Sequence, residues 1–262
     1  MSAPRYAIYF APDSDSALWR WGCRVLGYDA ARATDVEPLV PAGFTREAWL
    51  RLTAEPRRYG FHATLKAPFR LTPEFSPDDL VETCRRFAAA REGFTVDGLG
   101  VAALGRFAAL RVGTRSAPLD RLAAEAVTAF ETFRAPLTDA EREKRLKAGL
   151  DARQLSYLDA YGYPYVLDEF RFHMTLTGAV EAAHLPQVAA GLGESYRAEA
   201  RGPMPVDAIS LFVQPSPDAR FTILGRYAFR AADDGMPRAP GLASAANPRQ
   251  SRVPSDGATD RA

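Results

Sequence analysis

Two histidines stand in the same local frame, although the chain has only three histidines in 262 residues. His62 opens the run His-Ala-Thr-Leu, and His173 opens the run His-Met-Thr-Leu. Side chains at positions i and i+2 of a β-strand share a face, so Thr64 and Thr175 are expected beside the two imidazoles. Imidazole titrates near neutral pH, and hydroxyls can donate to phosphate oxygens. The pattern therefore favours acid–base chemistry on a phosphate ester, in which one imidazole removes a proton and the other supplies one.

Two cations are candidates to contact a substrate beside these frames. On regular strands Lys66 would share the face of His62 and Thr64, and Arg171 would share that of His173. Strand-edge solvation is the alternative for Lys66, and a structural role is the alternative for Arg171. Each histidine taken alone could also be structural, but the duplicated frame favours catalysis. Neither histidine has carboxylate or thiol neighbours at metal-ligand spacing, so no metal and no cofactor are expected.

A longer similarity surrounds the two frames. In each copy a predicted helix follows the His-x-Thr-Leu run and leads to a Val-Asp pair and then a strand. The distance from histidine to valine is 34 residues in the first copy (62 to 96) and 33 in the second (173 to 206). Two lobes that each contribute one histidine to a common groove explain this weak repeat. Chance similarity of two α/β segments is the alternative.

The elements that must position these residues can be read from hydrophobic alternation and capping signals. Strands are predicted at RYAIYFAP, RYGFHATLKAPFRL and EFRFHMTLTGAV, two strands or a hairpin at FTVDGLGVAALGRFAALRVG, and a hairpin at VDAISLFVQPSPDARFTILGRYAF. Helices are predicted at DSDSALWRWGCRVLG, TREAWLRLTAEP (stopped by Pro56), SPDDLVETCRRFAAAREG (capped by Ser76), PLDRLAAEAVTAFETFR, TDAEREKRLKAGL (with a Thr138–Glu141 capping box), LDARQLSYLDAY and EAAHLPQVAAGLG. The predicted class is α+β.

Composition narrows the function classes. The formal net charge of +1 lacks the basic excess of a protein that coats nucleic acid, so a long nucleic-acid partner is not expected. Cys23 and Cys84 predict reduced thiols rather than a disulfide. The apolar run at the N-terminus is too short for a signal peptide, and no segment is long enough to span a membrane. We expect a soluble, cytoplasmic protein, with a monomer favoured. Residues 231–262 hold few large apolar side chains and predict a disordered tail.

The runs RYGFHATLKAPFRL, GYPYV and FRFHMTLTG together resemble the 2H phosphoesterase superfamily, and within it the DUF1045 branch, whose members are encoded near phosphonate-utilisation genes. The resemblance covers residues 5–230. It implies one bilobal domain over 1–230, with two pseudo-symmetric lobes of antiparallel sheet, helices outside and a central cleft. The lobes would span roughly 5–115 and 116–230, with strand exchange between them left open.

The same resemblance implies metal-independent opening or closing of a cyclic phosphodiester. His62 and His173 would be the acid–base pair, and Thr64 and Thr175 the phosphate-binding hydroxyls. The branch points to a small sugar phosphate, such as a phosphoribosyl cyclic phosphate, with no need for a cofactor. Two alternatives stay open: an RNA-end 2',3'-cyclic phosphodiesterase or 2'-5' RNA ligase-like enzyme, and a nucleotide or RNA-end binding protein without turnover.

Overall fold

The computed structural model describes residues 3–230 of the chain. Its main sheet has seven strands in the order β11-β10-β1-β4-β8-β7-β6, and every neighbouring pair is antiparallel. Two further pairs, β2–β3 and β5–β9, lie outside it. The strands are β1 Arg5–Phe10, β2 Tyr28–Asp29, β3 Thr34–Asp35, β4 Ala63–Phe69, β5 Phe94–Val96, β6 Leu99–Leu104, β7 Phe107–Val112, β8 His173–Thr175, β9 Met204–Val206, β10 Ala208–Gln214 and β11 Thr222–Ala228.

The helices predicted at SPDDLVETCRRFAAAREG and TDAEREKRLKAGL begin where their capping signals predict, whereas the helix predicted at EAAHLPQVAAGLG begins only at Leu185. Ser76 and Thr138 both form capping boxes, which satisfy amide groups at the start of a helix. Gly27 ends the first helix in the left-handed conformation, with φ 75°. The α-helices are α1 Ala17–Leu26, α2 Arg46–Leu52, α3 Ala54–Arg57, α4 Pro77–Ala89, α5 Ala117–Ala129, α6 Asp139–Leu146, α7 Ala152–Tyr161 and α8 Leu185–Glu199, and single 3₁₀ turns occupy Glu131–Phe133 and Leu167–Glu169.

The β6–β7 and β10–β11 hairpins each pair with a strand from the other half of the chain. The β6–β7 hairpin comes from the first half of the chain but pairs with β8, which carries His173. The β10–β11 hairpin comes from the second half but pairs with β1, which in turn pairs with β4. Strands of both halves therefore lie in one sheet. The predicted α+β class with antiparallel sheet is confirmed.

The repeated segments pair with each other. Strands β4 and β8, one from each copy, are antiparallel neighbours at the centre of the sheet. Strands β5 and β9, which contain the two Val-Asp valines Val96 and Val206, also pair with each other and are also antiparallel. Antiparallel pairing of equivalent segments is the arrangement that an approximate twofold axis produces. The two histidine frames consequently lie side by side and run in opposite directions.

Helices bury the apolar side of the sheet. Helix α4 packs on β10 and β11, α5 on β4, and α8 on β6 and β7, with α1 against α8. The three tryptophans, Trp19, Trp21 and Trp49, are each buried in this core. Cys23 and Cys84 are both buried. No helix among residues 3–230 has the length and apolarity that crossing a bilayer requires.

Two local predictions were wrong. Pro56 does not stop the second helix but lies inside α3, where it occupies the first turn and so needs no amide hydrogen. The predicted strand EFRFHMTLTGAV shrinks to His173–Thr175. The residues before it leave the sheet through the 3₁₀ turn at Leu167–Glu169. The predicted disordered tail falls outside the described residues.

Candidate active site

The central pair of strands brings the two predicted frames together. Ala63 of β4 pairs with Met174 of β8. Stepping one residue along each antiparallel strand sets His62 opposite Thr175 and Thr64 opposite His173. These four side chains share one face of the sheet, because they alternate with Ala63 and Met174, which are buried. Each histidine therefore has the threonine of the other copy directly opposite it on the central pair of strands.

Both imidazoles are held by the same backbone contact. Nδ1 of His62 lies 2.9 Å from the carbonyl oxygen of Gly60, and Nδ1 of His173 lies 2.7 Å from that of Arg171. A carbonyl oxygen only accepts, so each Nδ1 carries the hydrogen. In the neutral ring Nε2 then has a free lone pair. Each histidine therefore donates Nδ1–H to the carbonyl two residues before it, and its Nε2 can accept a proton.

His62 lies in an apolar, aromatic surrounding. The ring of Tyr9 stacks on it, with centroids 3.7 Å and planes 19° apart, and Phe212 lies 6.1 Å away. The pKa of His62 is lowered to about 4: burial is the main cause, the Gly60 carbonyl opposes it, and the nearby His173 adds to the lowering. The hydroxyl oxygen of Thr64 lies 3.3 Å from Nε2. Since that nitrogen is an acceptor in the neutral ring, the hydroxyl donates to it.

His173 also has a lowered pKa. Burial is the main cause, the Arg171 carbonyl opposes it, and the positive charge of Arg111 adds to it. Arg111 is the residue of β7 that pairs with His173, so its side chain starts on the same face of the sheet. Both imidazoles are consequently neutral near pH 7. A bound anion would favour protonation of one of them.

A cavity of about 450 Å³ opens over this face. Three of the predicted site residues, Thr64, Arg171 and His173, line it. His62 and Thr175 do not, although Nε2 of His62 touches Thr64. The rest of the lining is largely apolar and aromatic, with one polar pair, and comprises Leu65, Ala67, Leu104, Gly105, Phe107, Gln154, Tyr163, Tyr165, Val166 and Glu169. The amide of Gln154 donates to the Glu169 carboxylate at 3.1 Å.

The expectation that Lys66 shares a face with His62 and Thr64 was wrong. Thr64 pairs with Tyr9, and Lys66 pairs with Ile8, the very next residue of β1. One residue of β1 thus faces two steps of β4, which is a β-bulge, and Lys66 turns to the opposite side of the sheet. There its ammonium donates to the Glu131 carboxylate at 2.6 Å and to the Val127 carbonyl at 3.1 Å. Burial is the main cause of its lowered pKa.

The residue that sequence reasoning missed is Arg111. It stands in the run FAALRV, with no motif around it, among arginines that are common throughout the chain. Only the pairing of β7 with β8 places it beside His173. That pairing depends on the exchange of hairpins, for which the local sequence gives no signal. Within residues 3–230, no group of three histidine, cysteine or acidic side chains could hold a metal ion.

A family model described as "Protein of unknown function (DUF1045)" matches residues 64–222, which include His173 and Thr175 and begin two residues after His62. The chain belongs to the DUF1045 family.

Two curated relatives of this DUF1045 chain carry the same name, ribose 1,5-bisphosphate phosphokinase PhnN. The protein of Janthinobacterium sp. (strain Marseille) is 40% identical over 235 residues, which cover 87% of this chain and 51% of that protein. That of Laribacter hongkongensis (strain HLHK9) is 33% identical over 219 residues, which cover 84% of this chain and 50% of that protein. The chain thus spans about half the length of these relatives.

Solved structures similar to the DUF1045 chain include E. coli LigT complexed with 3'-AMP. That structure is 16% identical with a TM-score of 0.39, and the match covers 87% of this chain and 99% of LigT. TT0787 of Thermus thermophilus is 16% identical with a TM-score of 0.41, and the match covers 87% of this chain and 98% of that protein. At this identity and TM-score, the similarity supports no conclusion about the site.

Proposed function

We propose that this DUF1045 protein is a phosphoesterase that opens a cyclic phosphodiester by acid–base catalysis with His62 and His173. One observation carries the proposal. Two imidazoles on adjacent antiparallel strands each donate Nδ1–H to a backbone carbonyl and carry no hydrogen on Nε2, beside the threonine hydroxyls of the two frames. This is a matched pair of proton acceptors and donors, oriented by the backbone itself.

The chemistry balances with these groups alone. Nε2 of one neutral imidazole takes a proton from water as the water oxygen bonds to phosphorus. The bond from phosphorus to one ring oxygen of the cyclic ester breaks, and Nε2 of the other histidine, as imidazolium, donates its proton to that leaving oxygen. The product is an open phosphomonoester with a free hydroxyl. The Thr175 hydroxyl would donate to a non-bridging oxygen, where negative charge builds up, and the Thr64 hydroxyl would do the same after it turns away from Nε2 of His62.

Both pKa values are lowered, so the required imidazolium must form when substrate binds. A cyclic phosphodiester carries one negative charge, and an opposite charge within a few ångströms raises the pKa of an imidazole. Substrate binding would thus create the acid that the reaction needs. The site would be selective for anionic esters on this ground.

A small sugar phosphate is the substrate that we favour, in phosphonate utilisation as the family resemblance suggests. The cavity of about 450 Å³ has room for a phosphorylated pentose. The name of the two curated relatives refers to a ribose bisphosphate, which agrees with ribose phosphate chemistry. The kinase activity in that name finds no support in this chain: its 262 residues contain no Gly-Lys pair, and hence no Walker-type phosphate-binding loop.

A nucleotide substrate is the second candidate, and Tyr165 favours it. This side chain lines the cavity, is 42% exposed and packs edge-on against Tyr163 at 5.6 Å between centroids. An exposed ring at the mouth of a pocket is suited to stack on a nucleobase. Turnover of nucleoside 2',3'-cyclic phosphates in preference to phosphoribosyl 1,2-cyclic phosphate would establish this candidate.

The test is a panel of cyclic phosphates, assayed with and without EDTA. We expect turnover of at least one, unchanged by the chelator, because no step above uses a metal. His62→Ala and His173→Ala should each lower kcat by roughly 10²- to 10⁴-fold. His184→Ala is the matched control, since His184 is exposed in a separate part of the fold beside Glu181. Full activity in either of the first two variants contradicts the mechanism. Binding that survives in both, with no turnover of any compound by the unaltered protein, indicates a binding protein.

A further inference from the structure

A second cavity, of about 280 Å³, adjoins the first one, and Arg171 lines both. It lies where β7 ends, β8 begins and α5 starts. Arg111 and the loop that follows it form one wall, and Phe170 to Phe172 form another. Because Arg171 is two residues from His173 and Arg111 pairs with it, this second cavity is immediately beside one of the two proposed catalytic groups.

The Arg111 guanidinium is fixed by one hydrogen bond and has a buried nitrogen that lacks an acceptor. Its Nη1 donates to the Ala103 carbonyl oxygen at 3.2 Å, which fixes the side chain from one side. Its Nε is buried and has no hydrogen-bond partner among the described residues. A buried guanidinium nitrogen without an acceptor is costly, so an acceptor supplied by a bound molecule would relieve it.

Charge in the second cavity does not balance. Two acids line it, Asp120 and Asp168. Asp120 accepts from Arg115 at 2.5 Å, while Asp168 is bound by Arg153 and by the Tyr157 hydroxyl. Both carboxylates are therefore matched by other cations.

Arg111 and Arg171 form no ion pair with any residue between 3 and 230. Two positive charges are left over at one small cavity. A dianion is the ligand that balances them.

We propose that this second cavity is a subsite for a phosphomonoester carried by the same substrate, bound by Arg111 and Arg171. Guanidinium groups bind phosphate oxygens in pairs of parallel hydrogen bonds, which suits a terminal phosphate. The N-terminus of α5, where the Ser116 hydroxyl makes no capping bond, borders the same cavity and adds partial positive charge. The subsite rests on the proposed function. It narrows the substrate to a cyclic phosphate with a second, terminal phosphate.

The test compares two substrates that differ only in that group: ribose 1,2-cyclic phosphate and 5-phosphoribosyl 1,2-cyclic phosphate. The unaltered protein should show a kcat/KM higher by roughly 10²-fold for the phosphorylated compound. Arg111→Gln and Arg171→Gln should each remove about tenfold of this preference, measured as the ratio of the two kcat/KM values at one pH. Arg111→Lys should retain part of it.

Arg106→Gln is the control, since Arg106 is exposed in the β6–β7 turn and its loss changes the net charge equally. Equal losses on both compounds would overturn the proposal, because the arginines would then serve the reacting phosphate. Unchanged preference in both variants would also overturn it.

Calorimetry with ribose 5-phosphate separates this proposal from the proposed function, since it needs no turnover. Weaker binding to Arg111→Gln and Arg171→Gln than to Arg106→Gln supports the subsite even if neither cyclic compound is hydrolysed. Equal binding to all three variants overturns the subsite even if hydrolysis is observed. Thermal unfolding of each variant shows whether the fold is retained.

Discussion

Tyr9 and His62 form a parallel stack, with ring centroids 3.7 Å apart and planes 19° apart. Tyr9 belongs to β1 and is 1% exposed, so it covers one side of the imidazole and excludes water from it. The stack is a direct result of the sheet order, which places β1 next to β4. Burial of the imidazole is the main cause of the low pKa of His62.

Replacing Tyr9 by leucine should raise the pKa of His62 from about 4 toward its ordinary value of about 6.5, because water regains access to the ring. Tyr9→Phe keeps the stack and is the control, with an expected change of less than half a unit. The pKa of His62 can be followed by the NMR titration of its ring protons. A value near 4 in the leucine variant would show that the stack is not the cause.

His62 should also make stability depend on pH. Its folded-state pKa is lowered, so between about pH 6.5 and pH 4 the unfolded chain binds a proton that the folded chain does not. The free energy of unfolding should therefore fall as the pH decreases through this window, by at most about 3 kcal/mol from this residue. His62→Gln should show a smaller decrease over the same window in urea titrations at pH 7, 5.5 and 4. An identical decrease in the variant would contradict the lowered pKa.

Much of the site could be read from the sequence, because it depends on local rules. Alternation on a strand places Thr64 beside His62 and Thr175 beside His173, and the repeat suggests that the frames meet. Pairing of β4 with β8 agrees with both expectations. The helices α4 and α6 follow from their capping residues. In each case the decisive interactions lie within a few residues of one another.

The features that could not be read from the sequence depend on pairing between distant segments. The bulge that turns Lys66 away from the site appears only when β4 is matched residue by residue with β1. Arg111 reaches the site only because the β6–β7 hairpin joins the strand of the other copy. No local propensity specifies which strands are neighbours, since the choice is made by the packing of the whole sheet.

Lys66, whose ammonium is bound by Glu131, should matter for stability rather than for substrate binding. Lys66 is 3% exposed, whereas the Glu131 side chain is 26% exposed and stays bound by Arg134 when Lys66 is removed. We expect Lys66→Ala to lower the free energy of unfolding by about 3 kcal/mol, because it leaves a cavity in the core. Lys66→Met, which keeps the aliphatic volume, should lower it less in the same urea titrations. A KM that rises tenfold or more for Lys66→Met, with stability unchanged, would show instead that this lysine contacts the substrate.

The pH dependence of turnover should reflect two histidines with lowered pKa values. Catalysis needs one neutral and one protonated imidazole, so kcat/KM should follow a bell-shaped curve. Both limbs of the kcat/KM curve report pKa values of the free protein. Since both histidine pKa values are lowered, the maximum of the curve should lie below about pH 6.5. A nucleoside 2',3'-cyclic phosphate is the right probe, because it lacks a monoester that itself titrates near pH 6. The curve for kcat should extend to higher pH, since the bound anion raises the pKa of the acid. A kcat/KM that rises to a plateau above pH 7.5 would contradict the pairing.

Arg111→Gln should then reveal which histidine is the acid. The positive charge of Arg111 lowers the pKa of His173, so its removal should move one limb of the kcat/KM curve to higher pH and leave the other in place. The pKa of His173 is lowered less than that of His62, so the alkaline limb is the one that moves. If His173 donates the proton to the leaving oxygen, the maximum of kcat/KM keeps its height, because protonated His173 with neutral His62 is the main form between the two limbs. If His173 accepts the proton from water, the maximum falls in proportion to the shift, because the active form then carries its proton on His62, which holds it less firmly. Arg106→Gln should move neither limb. A curve that is unchanged in Arg111→Gln would mean that His173 is not one of the two titrating groups.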